Sequence, residues 1–151
     1  EKVIETLNDL LSDELTAINQ YIVHAEMAED WGYPVLHESA EKRAIDEMKH
    51  AEKHIARILF LEGRPIVSNY KKIYIGEDVP KIYENDRISE QEAIDKYNAA
   101  IKLCVEVGDN GTKEMLDAIL QDEEDHIDYI ESELEKIAQM GLAMYLTTLT
   151  K

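Results

Sequence analysis

The sequence predicts an all-α protein, a bundle of four long helices followed by a short C-terminal fifth helix. Two observations lead to this prediction. The chain has 151 residues with only 3 prolines and 6 glycines, and residues that favour helices dominate its composition. The few glycines and prolines also cluster, and they leave long uninterrupted runs between them. A chain of this length supports one core, so we expect a single domain over residues 1–151.

Each run has its own start and stop signals. Apolar residues recur three or four positions apart in the first run, which ends at Gly32, and the second run stops at Gly63. Pro80 suits the first turn of the third helix, and Thr112 is a typical N-cap for the fourth. Gly141 separates the fourth helix from the fifth. The predicted helices cover residues 2–31, 35–63, 80–107, 112–140 and 142–150.

The lengths of the connections predict the topology. The first and third connections are short, so helices one and two, and helices three and four, form antiparallel hairpins. The middle connection has about 15 residues and can extend for roughly 50 Å. A helix of about 29 residues is roughly 44 Å long. The middle segment can therefore run the length of the bundle, and we expect one long crossover between helices two and three.

The charge of the chain limits its partners. Asp and Glu outnumber Lys and Arg by 33 to 16, which gives a net charge of -17. This charge argues against nucleic acid or an anionic membrane as a partner and favours cations. No apolar run approaches the 18 or so residues of a membrane span. The single cysteine, Cys104, excludes an internal disulfide and is expected in the core. These features predict a cytoplasmic protein.

The two halves of the chain contain the same motifs. ELTAINQY at residues 14–21 and EQEAIDKY at residues 90–97 both read E-x-x-A-I-x-x-Y. The segments 46–50 and 122–126 both read D-E-x-x-H. The separation between the first glutamate of the octapeptide and the glutamate of the second motif is the same in both halves. The chain therefore contains an internal repeat, and the residues that its two halves share include types that bind metals or take part in catalysis.

The repeat predicts a dinuclear metal site in the bundle core. Helix residues three or seven apart share a face, so four carboxylates and two imidazoles point inward. Burying four unpaired carboxylates costs several kcal/mol each, whereas two divalent cations neutralise them. Carboxylate with imidazole suits iron, manganese or zinc, and this helix arrangement is typical of di-iron or di-manganese proteins. The predicted ligands are Glu14, Glu47, His50, Glu90, Glu123 and His126.

Single motifs also have simpler interpretations. One E-x-x-H pair on an acidic helix usually indicates a solvated surface, but two pairs within a repeat favour the metal site. Tyr21 and Tyr97 are predicted to donate hydrogen bonds to the glutamates. His54 also faces inward, either as a hydrogen-bonded core histidine or in a functional role. His24 and His37 are expected at the surface.

Met48 lies on the other side of helix two from the metal residues. It is about 100° around the helix from Glu47 and about 200° from His50, so it faces outward. Ile45, Ile55, Leu59, Leu15 and Ile22 share this outer side of the first hairpin. An apolar outer strip indicates a partner surface, and the residues alone favour plain dimer packing for the methionine.

The chain also resembles the bacterioferritins nearly from end to end. The resemblance rests on LSDELTAINQYIVHAEMAEDWG, IDEMKHAEKHIARILFLEG, IGEDV, EQEAIDKYNAAIKLC and DEEDHIDYIESELEKIAQMGLAMYL. It implies a ferritin-like bundle, a homo-oligomeric hollow shell of 24 subunits and iron storage. It also implies that the six predicted ligands bind two iron ions per subunit, with Glu47 and Glu123 bridging. Ferroxidase activity with dioxygen or peroxide follows from the same resemblance, as does iron release by a ferredoxin-type reductant.

The resemblance gives Met48 a further role. It implies that one haem b per subunit pair is held between the Met48 side chains of two subunits. Departures from the family's prototype occur at His54, where the prototype has tyrosine, and at Tyr129, where it has tryptophan. Lys42 stands where some members have an inner-surface histidine, so no inner-surface iron site is expected. Two other functions remain open: a dimeric di-iron oxidase or peroxide reductase, and a non-catalytic helical protein that buffers metal.

Overall fold

The computed structural model describes residues 1–150, and five helices make up its regular secondary structure. The helices are α1 Lys2–Trp31, α2 Pro34–Phe60, α3 Val79–Val107, α4 Asn110–Met140 and α5 Leu142–Thr147. The predicted all-α class, with four long helices and a short fifth, is confirmed. No helix among residues 1–150 combines the length and the apolar character that crossing a membrane requires.

The end of α2 differs from the sequence-based expectation. The helix ends at Phe60 rather than at residue 63, because the chain turns at Glu62, which adopts a φ of 66°. The amide of Gly63 then donates back to the carbonyl of Ile58 over 2.9 Å. A Cβ atom at Gly63 would lie 2.8 Å from Cγ2 of Ile4, so glycine allows the crossover to begin close against α1.

The other helix termini follow from local capping. Asp78 caps α3 by accepting a hydrogen bond from the amide of Lys81 over 2.9 Å. The predicted N-cap Thr112 is wrong. Asp109 caps α4 instead, accepting from the amide of Thr112 over 3.0 Å, so the helix begins at Asn110. The fifth helix ends at Thr147, three residues earlier than expected.

The bundle is built from two hairpins and one long crossover. α1 packs against α2 and α3 against α4, while α1 also contacts α3 and α2 contacts α4. The crossover, residues 61–78, runs alongside α1 in the same direction. A segment that follows a whole helix in this way brings the chain back to the end of the bundle at which α2 began. The single long crossover is therefore confirmed.

A ladder of side chains on α1 holds the crossover in place. One residue in every four on α1 bonds to a backbone atom of the crossover, and these five are Asn8, Ser12, Thr16, Gln20 and His24. The bonds range from 2.7 Å, at Lys71 N to Thr16 Oγ1, to 3.1 Å. Residues four apart lie on one helix face, so the ladder fixes the path of the crossover turn by turn.

Two apolar clusters fill the core. The first lies among α1 to α4 and includes the buried cysteine, Cys104, as expected; the second lies towards α5. Each fully buried leucine or isoleucine contributes roughly 1.5–3 kcal/mol to folding. Tyr145 anchors α5 to the second cluster, donating to Glu133 Oε1 over 2.5 Å and lying 2.7 Å from the hydroxyl of Tyr83. The polar residues predicted to bind metal lie in the bundle interior among these apolar side chains.

Candidate metal centre

The structure brings the six residues singled out by the repeat into one layer of the bundle. Glu14 comes from α1, Glu90 from α3, and each of α2 and α4 supplies a Glu-x-x-His pair. The three-residue separation puts the glutamate and histidine of each pair on the same helix face. None of the six residues is more than 8% exposed.

Their ligand atoms fall into two overlapping groups. The first group comprises Glu14, Glu47, His50 and Glu123, and the second comprises Glu47, Glu90, Glu123 and His126. Within each group, one ligand atom from every residue lies within 4.8 Å of the others. Glu47 and Glu123 belong to both groups, so their carboxylates lie between two adjacent positions for a cation.

Distances from the imidazole nitrogens define the two positions. His50 Nδ1 lies 2.9 Å from Glu47 Oε1, 3.5 Å from Glu14 Oε2 and 3.6 Å from Glu123 Oε2. His126 Nδ1 lies 3.2 Å from Glu123 Oε1 and 3.4 Å from both Glu47 Oε2 and Glu90 Oε2. The ring centroids are 6.5 Å apart. Each histidine therefore faces both shared glutamates and one glutamate of its own.

The electrostatics of this cluster favour cations. Burial, together with the charge of Glu123, raises the pKa of Glu90 to about 8. Burial also raises the pKa of Glu14, and the neighbouring Glu47 raises it further. Burial opposes a charged His50, but its hydrogen bonds to the surrounding glutamates outweigh this and raise its pKa far above the ordinary value. Carboxylates held this close repel one another, so each cation that enters relieves the repulsion.

Two tyrosines orient Glu14 and Glu90, each of which belongs to just one of the two ligand groups. Tyr21 donates to Glu90 Oε2 over 2.6 Å, and Tyr97 donates to Glu14 Oε2. The other oxygens, Glu14 Oε1 and Glu90 Oε1, are buried and have no hydrogen-bond partner among residues 1–150. Buried carboxylate oxygens without donors are costly, and a metal ion bound there supplies the missing interaction. The residues present therefore fit two metal ions.

Comparison with known proteins decides the family. A family model described as the ferritin-like domain matches residues 4–140. The chain is 40% identical to a bacterioferritin of Brucella melitensis over 95% of this chain and 89% of the relative. It is 41% identical to one of Rhodobacter capsulatus, over 93% and 87% of the two chains. A bacterioferritin of Streptomyces coelicolor shares 40% identity over 97% and 88%. The chain belongs to the bacterioferritin family.

His54 gives this bacterioferritin family member a buried hydrogen-bonded chain beside the metal layer. Its Nε2 lies 2.7 Å from the hydroxyl of Tyr97, which in turn donates to Glu14. Burial, reinforced by the positive charge of His50, lowers the pKa of His54 to about 3. The imidazole is therefore neutral and donates through Nε2, which directs the tyrosine proton towards Glu14.

A second polar network, which the sequence motifs did not predict, lies one helical turn from the metal layer. Asp86 accepts hydrogen bonds from Gln20 and His24, each over 2.9 Å, and from Arg43 over 3.2 Å. The Arg43 guanidinium lies 4.6 Å from the ring centroid of Tyr21. The expectation that His24 lies at the surface is wrong, because its side chain is fully buried in this network.

The sequence did contain a signal for this network. Arg43 precedes Glu47 by four residues, as Asp86 precedes Glu90, so each shares a helix face with a glutamate of the cluster. His37, also expected at the surface, is partly buried and lies 2.8 Å from the carbonyl of Ala25 through Nδ1.

A cleft connects the metal layer with the surface. Its volume is about 280 Å³, and α1, α3 and the crossover line it. Glu14 and Glu90 line its buried part. Lys71 and Lys96 lie at its exposed rim, and each bonds to the aspartates of α1 over 2.7–3.0 Å. Those aspartates are Asp9 and Asp13.

Met48 lies on the outer side of α2, as its helical position predicts, and is 44% exposed. Exposed apolar side chains of the same hairpin include Ile22, Ile45 and Leu59. Leu15 and Ile55, expected on the same strip, instead pack partly against the first apolar cluster. The outer strip is therefore narrower than the sequence indicates.

Proposed function

We propose that the protein stores and detoxifies iron by oxidising ferrous ions at the cluster and holding the ferric product inside a hollow shell of 24 copies. The observation that carries this proposal is the pair of overlapping ligand groups sharing Glu47 and Glu123. Membership of the bacterioferritin family supports the storage role. Ferrous iron is the substrate, and dioxygen or peroxide is the oxidant.

Charge balance favours two ferrous ions per subunit. Four carboxylates carry four negative charges, which two divalent cations neutralise. In the proposed arrangement Glu14 and His50 hold one ion, and Glu90 and His126 hold the other. Glu47 and Glu123 contact both. Each ferrous ion gives up one electron, and the oxidant takes the pair.

The residues of the chain prepare this site. His50 and His126 give up their Nδ1 protons when metal binds, because that nitrogen faces the shared carboxylates. Tyr21 and Tyr97 donate to the Oε2 atoms of Glu90 and Glu14, and the Oε1 atom of each glutamate is free of protein donors among residues 1–150. The cleft beside the crossover supplies a direct route for ferrous ions, and its buried end already contains Glu14.

Haem b fits the outer surface at Met48. A thioether is a soft, neutral ligand that suits haem iron, and the exposed apolar neighbours Ile22 and Ile45 suit the porphyrin. In the proposed assembly two copies of Met48 hold one haem per subunit pair. Bound haem would supply electron transfer for iron release, with a ferredoxin-type protein as the electron donor.

The proposal is tested by two glutamate variants. Glu47→Ala and Glu123→Ala remove a shared ligand and should abolish rapid oxidation of two ferrous ions per subunit in stopped-flow measurements. As a control, Glu52→Ala removes an exposed carboxylate of α2, the helix of Glu47, and should leave the rate unchanged. Wild-type rates in either shared-ligand variant would contradict the site.

Solution size distinguishes storage from the alternative, a dimeric di-iron oxidase or peroxide reductase. Light scattering of the metal-loaded protein should give an assembly of several hundred kilodaltons, consistent with 24 subunits of 17.4 kDa. A stable dimer would favour the alternative. Both shared-ligand variants should still assemble, because the substituted side chains are buried within one subunit.

A further inference from the structure

Each histidine of the cluster is backed by an aspartate from the other half of the repeat. His50 Nε2 lies 2.9 Å from Asp122 Oδ2, and His126 Nε2 lies 3.0 Å from Asp46 Oδ2. The Nε2–H therefore donates to the aspartate while Nδ1 faces the glutamates. A carboxylate in this position orients a metal-binding imidazole and makes it a stronger ligand.

One of these two aspartates is shared with a lysine. Asp46 Oδ2, which accepts from His126, also accepts from Lys42 Nζ over 3.2 Å. The repeat alignment that pairs Asp46 with Asp122 pairs Lys42 with Ala118. Asp122 bonds to His50 and has no cationic side chain other than this histidine within 4.0 Å among residues 1–150. The repeat is symmetric in its ligands but not in the charge behind them.

We propose that Lys42 makes the two metal positions unequal, so that the position of Glu14 and His50 binds an ion more tightly than the position of Glu90 and His126. This inference rests on the proposed function. The ammonium competes with His126 for a single oxygen and withdraws negative charge from it, which weakens the backing of that imidazole. It also adds a positive charge on the side of the second ion. The carboxylate of Asp122, in contrast, is not shared with a lysine and interacts with His50.

The other charged groups around the cluster do not cancel this difference. Arg43 lies near Glu90 but is paired with Asp86 over 3.2 Å, so the two together are neutral. Lys71 and Lys96 lie on the side of Glu14, and they are balanced by the two aspartates that both of them contact. Among these compared groups, the backing aspartates are the ones whose net charge differs between the two positions.

The repeat allows the asymmetry to be removed in two ways, by taking the lysine from one half or adding it to the other, and also to be inverted. Lys42→Ala gives both halves an alanine, and Ala118→Lys gives both a lysine four residues before the aspartate. The double variant Lys42→Ala/Ala118→Lys moves the lysine to the other half and keeps the net charge of the chain. Both positions are exposed, and Lys42 is 77% exposed, so the fold tolerates all three changes. Lys49→Ala removes another exposed lysine of α2 as a charge control.

The experiment uses cobalt(II), which binds without being oxidised by air. Crystals of the assembled, metal-free protein are loaded with one ion per subunit, and anomalous scattering gives the occupancy of each position. The wild type should favour the His50 position by about 1.4- to fivefold in affinity, the range of an exposed ion pair. Lys42→Ala and Ala118→Lys should each bring the two occupancies close together, and the double variant should favour the His126 position. Lys49→Ala should match the wild type.

The outcomes separate this inference from the proposed function. Equal occupancies in the wild type would overturn the inference, as would a preference that the double variant fails to reverse. Absence of cobalt from both positions would overturn the proposed dinuclear site and the inference with it. Two bound ions with no effect of Lys42 would leave the dinuclear site standing and remove only the asymmetry. Solution titrations of the same five proteins give the two affinities independently.

Discussion

The hydroxyl of Tyr21 on α1 donates a 2.6 Å hydrogen bond to Glu90 on α3. The bond joins the two octapeptides of the repeat across the bundle, and Tyr97 makes the reciprocal bond to Glu14. Each tyrosine thus orients the glutamate contributed by the opposite half. The two halves complete one another, because the tyrosine that donates to Glu14 or to Glu90 always comes from the opposite half.

Tyr21→Phe should therefore weaken metal binding without unfolding the bundle. The change removes the donor to Glu90 while retaining the ring beneath Arg43, so cobalt(II) affinity should fall by about 10- to 100-fold. Titration calorimetry of the metal-free protein measures this. Tyr83→Phe removes a buried hydroxyl that bonds to Tyr145 instead, and it should leave the affinity unchanged. Equal losses in the two variants would mean that Tyr21 acts only through general packing.

Thr16→Val should destabilise the protein through the crossover. Valine has a similar shape but cannot accept the hydrogen bond from the amide of Lys71, which leaves that amide without its partner. The expected cost is about 1–3 kcal/mol of unfolding free energy. Calorimetric melting of the metal-free protein checks it. Thr6→Val lies on the same helix but lines a groove against α3, and it should cost less. A loss at Thr6 as large as that at Thr16 would refute the ladder's contribution.

His54 should make stability depend on pH in a defined window. Its pKa is about 3 in the folded protein and about 6.5 in an unfolded chain, so between these values the unfolded chain binds an additional proton. Stability contributed by neutral His54 is therefore complete above pH 6.5 and falls as the pH drops towards 3, by at most about 1.4 kcal/mol per pH unit. In the metal-free protein, His54→Phe should show a shallower loss than the wild type between pH 6 and 4. If the stability of the two proteins falls with the same slope across this pH window, the histidine is not buried in its neutral form.

Met48→Leu should remove haem and nothing else. Leucine keeps the volume and apolar character of an exposed position, so assembly and ferrous oxidation should match the wild type. After expression with haem supplied, the absorption spectrum of bound haem should be lost. Met144→Leu replaces an exposed methionine of α5 and should leave that spectrum intact. Haem bound normally by Met48→Leu would reject the assignment, and slowed ferrous oxidation would show that Met48 also supports the iron site.

The sequence predicted the helices and the six clustered side chains because both depend on spacing along one chain. Glu47 and His50 meet for the local reason that residues three apart share a face. The repeat then indicated that the two halves converge. His24 lies three residues after the inward Tyr21, so spacing indicates its burial, but its partners, Asp86 and the amide of Gly76, are distant in the chain and could not be predicted from spacing. Capping failed similarly at Thr112, where Asp109 and Thr112 are both good cap residues and only the backbone path decides between them.

The ladder on α1 forms its hydrogen bonds with backbone atoms of the crossover; its members are Asn8, Ser12, Thr16, Gln20 and His24. Side chains of α1 thus determine the path of the crossover. Several crossover side chains, such as Ile66, Val67 and Tyr70, are left exposed. Their identities can therefore change without redirecting the segment. Because these positions lie outside the cleft that leads to the metal layer, they form a permissive surface on which new recognition properties can evolve or be grafted while the enclosed chemistry is left undisturbed.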